Sequence, residues 1–284
     1  DKSLFYRTYW QRFRLSELAR TESCNVLLVP GGSYAGNFQP MVTMSRNMLP
    51  FEWSELRRYG ISLLSMKWLL LRWVQSKTFR RANGVIFLTQ FAKDSVTEVT
   101  GTLKGKIEVI PHGMNSRFIR SPRQARKIEN CSFENPIRLL YVSIIDEYKH
   151  QWNVAKAVAE LRVSGFPVSL NLVGPFYKPA LKRLFSVIEE VDPDNTFLHY
   201  IGAVEHNDLN IYYHNAELFV FASSCENMPN ILLEGMASGL PILSSDRGPM
   251  PEVLRDAGLY FDPEDHKTIA AAIRKLLVNP KLRY

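Results

Sequence analysis

Two glutamates, Glu226 and Glu234, stand eight positions apart in the stretch ENMPNILLE. Such a pair admits three chemistries: acid and base work on a bond held between the carboxyl groups, acceptance of hydrogen bonds from a ligand's hydroxyls, or two solvated charges on a helix. The residues between the glutamates favour the second. Pro229 suits the first turn of a helix, where its missing N–H costs nothing, and Gly239 can end that helix. A helix starting near Asn230 leaves the backbone N–H groups of residues 227–231 without intrahelical partners, at the end where the helix dipole favours a phosphate. A carboxylate beside a phosphate would be repelled. Glu226, in the loop, and Glu234, one turn into the helix, are therefore read as acceptors for neutral hydroxyls, such as those of a ribose and a second sugar. A nucleotide sugar would lie lengthwise along Asn227, Met228, Pro229, Asn230 and Ile231.

A phosphate also needs a cation, and Lys149 in YVSIIDEYKHQ stands at the start of a predicted helix. The run IGAV at 201–204, with Gly202 and Val204, offers backbone and apolar surface to a flat base. Each of these residues also has a plain structural reading, a surface lysine and ordinary packing.

These side chains need elements to hold them. Short apolar runs alternate with helical periodicity, which is the sequence form of βαβ units around a parallel sheet, so the fold class is α/β. In the second half strands are expected at 138–143, 168–174, 197–201, 218–222, 241–244 and 258–261. Helices are expected to begin near Trp152, Pro179, Asn207, Asn230, Met250 and Lys267. Ligands of open α/β sheets bind outside the carboxyl ends of the strands, which brings the loops after Ser143, Gly174, Ile201 and Ala222 to one crevice.

The first half offers strands at 25–30, 42–45, 84–89 and 107–111, preceded by the helical segment FYRTYWQRFRLSELA. A nucleotide-type domain ordinarily opens on a strand, so this domain is expected to lack its first strands. The polar, basic stretch 117–135 reads as a linker, giving an amino-terminal domain over 1–120 and a second domain over 136–284. The segment ISLLSMKWLLLRWVQ at 61–75 has two readings, a buried helix packed on its own sheet or a helix lying in a membrane interface. The buried helix is preferred.

Charge is unevenly spread. Residues 1–135 carry 21 Lys and Arg against 10 Asp and Glu, a balance of +11, and the remainder carries 14 against 18, a balance of −4. The first half should attract an anionic membrane surface, an anionic substrate or nucleic acid, and the lack of any nucleic-acid-binding motif argues against the last. Cys24, Cys131 and Cys225 form no CxxC pair, and the six histidines form no HExxH, so neither disulfides nor a metal are expected. No apolar run reaches the roughly 18 residues of a membrane span and no signal-peptide order opens the chain, so a cytoplasmic protein is expected.

The chain resembles the GT-B glycosyltransferases, specifically the retaining family 4, glycosyl transferases group 1. The matching residues are Glu226 and Glu234 as E-x7-E, then EGMASGLPILSSDRGPMPEVL and AGLYFDPED, with ANGVIFLTQFAKD and IEVIPHGMNSRF in the first half. The resemblance covers about residues 80–280 and implies two Rossmann-like domains facing across a cleft. It further implies metal-independent transfer of a hexose from a UDP- or GDP-sugar, with retention, to a glycan acceptor; the +11 balance of the first half motivates a lipid-linked acceptor in cell-envelope polysaccharide or glycolipid synthesis. No cofactor is implied; with a cytoplasmic place of action expected, the basic first half motivates peripheral attachment to the inner face of the membrane.

By the same resemblance Glu226 would hold the donor sugar as a catalytic residue, Asn227 to Asn230 would line sugar and phosphate, Glu234 would take the ribose, and Lys149 would take the phosphate. The family's phosphate arginine is missing, because its GR pair is replaced by Ser143 and Ile144. Ser143 or a residue of the first domain must then complete the clamp. In SRNMLPFE, Asn47 falls where a catalytic or orienting polar residue is expected and Arg46 where the acceptor would bind. A nucleotide-sugar epimerase of the same fold and a non-catalytic sugar-nucleotide binder are the alternatives. A glycosidase is disfavoured, because nothing in a loop-plus-helix placement makes the two carboxylates flank a scissile bond.

Overall fold

The structure is a computed structural model that describes residues 4–283. The chain divides into two compact units, residues 1–112 with 226–228, and residues 113–225 with 229–284. Residues 117–135, read from sequence as the linker, fall in the second unit. They carry 3-10 turns at Ser116–Phe118 and Ile128–Asn130, Phe118 is buried in that unit's core, and Arg126 pairs with Glu217 at 2.6 Å.

The first unit opens on α1 (Leu4–Tyr9), a π-helical stretch (Trp10–Leu15) and α2 (Ser16–Thr21), where the sequence suggested one uninterrupted helix. Then come β1 (Leu27–Val29), β2 (Met41–Met44), α3 (Trp53–Arg57), α4 (Leu63–Arg81), β3 (Gly84–Phe87), α5 (Gln90–Thr100) and β4 (Lys106–Val109). The strands form a parallel sheet in the order β1-β2-β3-β4. Period-two alternation turns Met41 and Thr43 of β2, and Val85 and Phe87 of β3, to the core. Hydroxyl caps start the two long helices: Ser62 accepts from the Ser65 N–H at α4, and Thr89 from the Ala92 N–H at α5.

The preferred reading of residues 61–75 is corrected by the structure. The buried positions of α4 are Gln75, Ser76, Thr78 and Phe79, near its carboxyl end, whereas Ile61, Leu63, Met66, Leu69, Leu70 and Trp73 are exposed. Successive helical residues point about 100° apart, so the run Leu69-Leu70-Leu71 cannot share one face. Burial of this helix is decided by which face meets the sheet, and that face belongs to Phe79 and its neighbours.

The second unit matches the expected alternation closely. Its strands are β5 (Ile137–Val142), β6 (Val168–Val173), β7 (Leu198–Gly202), β8 (Leu218–Phe221), β9 (Ile242–Ser245) and β10 (Gly258–Phe261). Between and after them run α6 (Gln151–Val163), α7 (Lys178–Val191), α8 (Leu209–Asn215), α9 (Asn230–Ala237), α10 (Met250–Leu254) and α11 (His266–Val278). The sheet is parallel in the order β10-β9-β8-β5-β6-β7. The chain builds outward from β5 through β6 to β7, then returns to the other side of β5 with β8. That reversal is a topological switch point, with its crevice at the carboxyl ends of β5 and β8. All four residues of β8 and of β9 are buried, as helices on both faces of a parallel sheet require. Among the described residues no helix is long and apolar enough to cross a membrane.

Candidate functional site

At the switch point the loop after β5 is tightly organised. Asp146 caps a 3-10 turn, Glu147–Lys149, by accepting from the Glu147 N–H, and the Tyr141 hydroxyl donates to the Lys149 carbonyl at 2.6 Å. His150 then adopts a left-handed backbone, φ 50°, before α6 begins. The loop leaving β8 is stitched to this turn: the Ser224 N–H donates to the Tyr148 carbonyl at 2.8 Å, and Nε2 of His150 lies 3.0 Å from the Ser224 hydroxyl. Lys149 is buried, with its ammonium 4.9 Å from the ring centre of Tyr148 and 5.1 Å from that of Phe221. Aromatic faces stabilise a cation taken from water, and they hold this one at the end of β8.

Ser143 is also buried, and its hydroxyl is engaged inside its own loop. It accepts from Nε2 of Gln151 at 2.9 Å and donates to the Ile144 carbonyl at 2.7 Å. Gln151 keeps a second bond to the Ile144 carbonyl, so Ile144, which stands in place of the family's arginine, is positioned through its backbone. Gly174 makes the arrangement sterically feasible. With φ 144° it passes so close to this loop that a Cβ would stand 2.1 Å from the Ser143 carbonyl oxygen. Gly202 ends β7 at φ 85° and its carbonyl accepts from the Gly174 N–H at 2.8 Å, while Val204 is half-buried against the core.

Pro229 and Asn230 open α9, and Ile231 lies in its first turn. Gly239, at φ 64°, ends the helix by donating its N–H to the Met236 carbonyl. Gly235 sits on the Phe219 ring, where a Cβ would come within 2.7 Å, so α9 lies close against β8. Glu234 is buried, and its Oε2 accepts from the Tyr213 hydroxyl at 3.0 Å. Burial raises the Glu234 pKa; the Tyr213 bond and the charges of His206 and Arg117 oppose that rise. Tyr213 is pushed well above the usual tyrosine range by its burial first and by the adjoining carboxylate second, so its hydroxyl stays a donor. Among the described residues no donor reaches Oε1, which leaves that oxygen as an acceptor for a ligand hydroxyl. Arg117, on its 3-10 turn, binds the Asn207 side chain at 3.0 Å and meets the His206 ring.

Glu226, Asn227 and Met228 belong to the first unit. There Nδ2 of Asn227 donates to the Ser45 hydroxyl at 3.1 Å, and the Thr89 hydroxyl donates to the Asn227 carbonyl at 2.9 Å. Oδ1 of Asn227 is buried with no partner among the described residues, an acceptor that costs free energy until a donor meets it. Asn47 uses its Oδ1 to accept from the Leu49 N–H at 3.0 Å, which makes it a turn-forming residue, and Arg46 beside it is exposed.

Tyr213, Arg117, His150 and Gln151 were not singled out from sequence. Gln151 and His150 adjoin Lys149, but their roles depend on contacts to Ser143 and Ser224 that no local pattern encodes. Tyr213 lies 21 residues from the carboxylate it serves. Among the described residues no group of three or more His, Cys, Asp and Glu converges as metal ligands would. His214 lies near Arg120 and Arg123, and its pKa is lowered by burial first and by those charges next.

A parallel sheet whose strand order reverses at β5 and β8, with the amino-terminal end of α9 beside that reversal and a buried carboxylate one turn inside the helix, defines a doubly wound α/β class, in which ligands bind at the switch point. Residues 123–284 match the family described as Glycosyl transferases group 1, and the chain belongs to that family. A glycogen synthase of Mycobacterium tuberculosis is 25% identical over 211 residues, 73% of this chain and 48% of that protein. The O-antigen chain mannosyltransferase RfbU of Salmonella typhimurium is 27% identical over 207 residues, 72% of this chain and 54% of that protein. The chain thus spans about half the length of these relatives. Anabaena HepE, solved in complex with UDP-glucose, superposes with a TM-score of 0.67 at 18% identity, covering 86% of this chain and 64% of that one. The fold is that of the GT-B glycosyltransferases.

Proposed function

We propose that the protein is a glycosyltransferase that moves a hexose from a UDP- or GDP-hexose to a glycan or lipid-linked acceptor, with retention at the anomeric carbon and without a metal ion. The observation that carries this reading is the switch-point crevice, where the turn bearing Lys149 is hydrogen-bonded to the loop that leads from β8 into α9. Family membership and the nucleotide-sugar complex of HepE support the donor class.

In this reading Glu234 accepts from the ribose hydroxyls through Oε1 while Tyr213 holds Oε2. Lys149, Asn230, Ile231 and the backbone N–H groups at the start of α9 meet the diphosphate, Gly202 and Val204 border the base, and Ser143 acts by shaping its loop. Asn227 and Met228 line the donor sugar, and Glu226 holds its hydroxyls. The acceptor hydroxyl oxygen bonds to the anomeric carbon as the bond from that carbon to the diphosphate oxygen breaks. The nucleoside diphosphate leaves with the bonding electron pair, and the acceptor's proton passes to a phosphate oxygen. Negative charge grows on the leaving diphosphate, and a preorganised ammonium with helix N–H groups stabilises it most where it is greatest, in the transition state.

Arg46 is assigned to the acceptor and Asn47 to catalysis or orientation of the acceptor, with its Oδ1 also holding the turn through the Leu49 N–H. The four-stranded unit would serve the acceptor and the six-stranded unit the nucleotide of the donor, in cell-envelope polysaccharide or glycolipid synthesis. The balance of +11 over residues 1–135 motivates peripheral attachment to the cytoplasmic face of an anionic membrane. Failure to bind anionic vesicles at low salt would sink that part.

A thermal-shift series with UDP-, GDP- and ADP-hexoses tests the donor, and transfer assayed with and without EDTA tests metal independence. Activity that needs a divalent ion would overturn the metal-free mechanism. Donor isomerised with no acceptor present would identify an epimerase, and donor bound but never turned over a binding protein.

A further inference from the structure

Within the first unit a cavity of about 690 Å³ opens beside the carboxyl end of β1. Its walls are α1 with the π-helical stretch on one side, α4 on the other, and the Ser33–Ala35 loop that follows β1. Five cations reach it, Arg7, Arg12, Lys67, Lys77 and Arg81, and none of its lining residues is acidic. Leu70, Leu71, Trp73 and Val74 of α4 supply an apolar wall along the same space. Two buried polar atoms in it have no partner among the described residues, the Ser33 hydroxyl oxygen and Nε of Arg81.

Arg81 is held in place. Its guanidinium donates to the Tyr34 carbonyl and lies 5.1 Å from the Tyr34 ring centre, while the Tyr34 N–H donates to the Thr78 hydroxyl at 3.2 Å. Burial lowers the Arg81 pKa and the Arg12 charge lowers it further, with Tyr34 opposing. Cations gathered without a counter-charge repel one another, and a bound anion relieves that repulsion. A free phosphate would answer the charges but leave the apolar wall in water, whereas a neutral lipid would do the reverse.

We propose that this cavity binds a phosphate ester carrying an apolar chain, the phosphate on Arg12, Lys77 and Arg81 and the chain along Leu70, Leu71 and Trp73. In the glycosyltransferase reading it would seat the lipid-phosphate end of the acceptor, apart from the portion assigned to Arg46; only that use, and not the binding itself, rests on that reading. The volume suits a headgroup and the first part of a chain, within the roughly 300–1,000 Å³ typical of small-molecule sites.

The test is calorimetric titration of the intact protein with alkyl phosphates below their micellar concentrations. Affinity is expected to rise about three- to fourfold for each methylene from hexyl to decyl phosphate. Inorganic phosphate and decanol should each bind at least roughly tenfold more weakly than decyl phosphate. Lys67→Glu/Lys77→Glu changes two exposed side chains and leaves the core alone; it should weaken decyl phosphate at least roughly tenfold. Binding that is unchanged in this variant, independent of chain length, or matched by decanol or inorganic phosphate overturns the proposal. Binding to anionic vesicles with none to monomeric decyl phosphate overturns it in favour of surface docking. UDP or GDP titrated into the same samples keeps the two readings apart, because failure of the donor site appears there alone.

Discussion

In the six-stranded unit β8 and β9 are buried along their whole length, and Glu234 is held by a tyrosine that is itself in the core. In the four-stranded unit the longest helix, α4, leaves Leu63, Met66, Leu70 and Trp73 in solvent beside Lys67, Arg72 and Lys77. The first arrangement suits recognition of a small polar ligand by a few fixed groups, since burial raises the worth of each hydrogen bond. The second suits a ligand or surface that is charged at one end and apolar at the other, where area and net charge matter more than the position of one atom. A shared α/β plan is therefore finished in two ways, with β8 and β9 fully covered in one unit and an apolar, basic helix face left exposed in the other.

The contrast breaks most visibly at Glu226. Glu226→Ala is expected to lower kcat by at least about 1,000-fold while nucleotide affinity survives, because a contact made to the reacting sugar matters in the transition state. Loss of nucleotide binding with transfer spared would reverse the roles given to the two glutamates. Lys149→Ala should cost roughly 100-fold in kcat/KM, read against a control that the variant remains folded by circular dichroism.

Gly174→Ala probes the packing of the loop after β5. The added methyl meets the Ser143 carbonyl and a left-handed backbone at once, and denaturant unfolding should show a loss of about 2–3 kcal/mol together with weaker nucleotide binding. An unchanged midpoint would show that the loop after β5 gives way freely.

Glu234→Gln should move stability and binding in opposite directions. The carboxyl has a folded pKa above its ordinary 4.5, so the folded state binds more protons and wild-type stability falls as pH rises toward the folded value. The penalty is complete above the folded pKa and absent below 4.5. The variant should be more stable than wild type at pH values above the folded pKa, with the gain vanishing as the pH is lowered through that window. Nucleotide affinity should nevertheless drop roughly tenfold, since a neutral amide is the weaker acceptor. A variant that both loses stability and keeps its affinity would mark Glu234 as structural. The smallest effect is expected in the first unit: Asn47→Ala removes one turn bond and should cost about 0.5–1 kcal/mol by thermal unfolding, with acceptor KM changed more than donor KM.

Much of the six-stranded unit is legible in the order of residue types. β10 runs from Gly258 to Phe261, the span its pattern proposed, and α9 starts after Pro229 and stops before Gly239 because proline and glycine act through their own backbones. The π-helical stretch at Trp10–Leu15 and the exposure of α4 were not legible in the same way. A run of apolar residues reports a tendency to leave water, and says nothing about whether a partner surface meets it.

The sequence by itself determined the alternation of strands and helices, the polarity of charge between the two halves, and the spacing of Glu226 from Glu234. These follow from properties that each residue carries locally, its permitted dihedrals, its charge and its period. Only the tertiary structure decided that Tyr213 holds Glu234, that Ser224 ties its loop to the turn of Lys149, that Ser143 is occupied by Gln151, and that five cations border one apolar cavity. Each of those contacts joins residues whose meeting depends on sheet order or helix rotation, which emerge only when the whole chain packs.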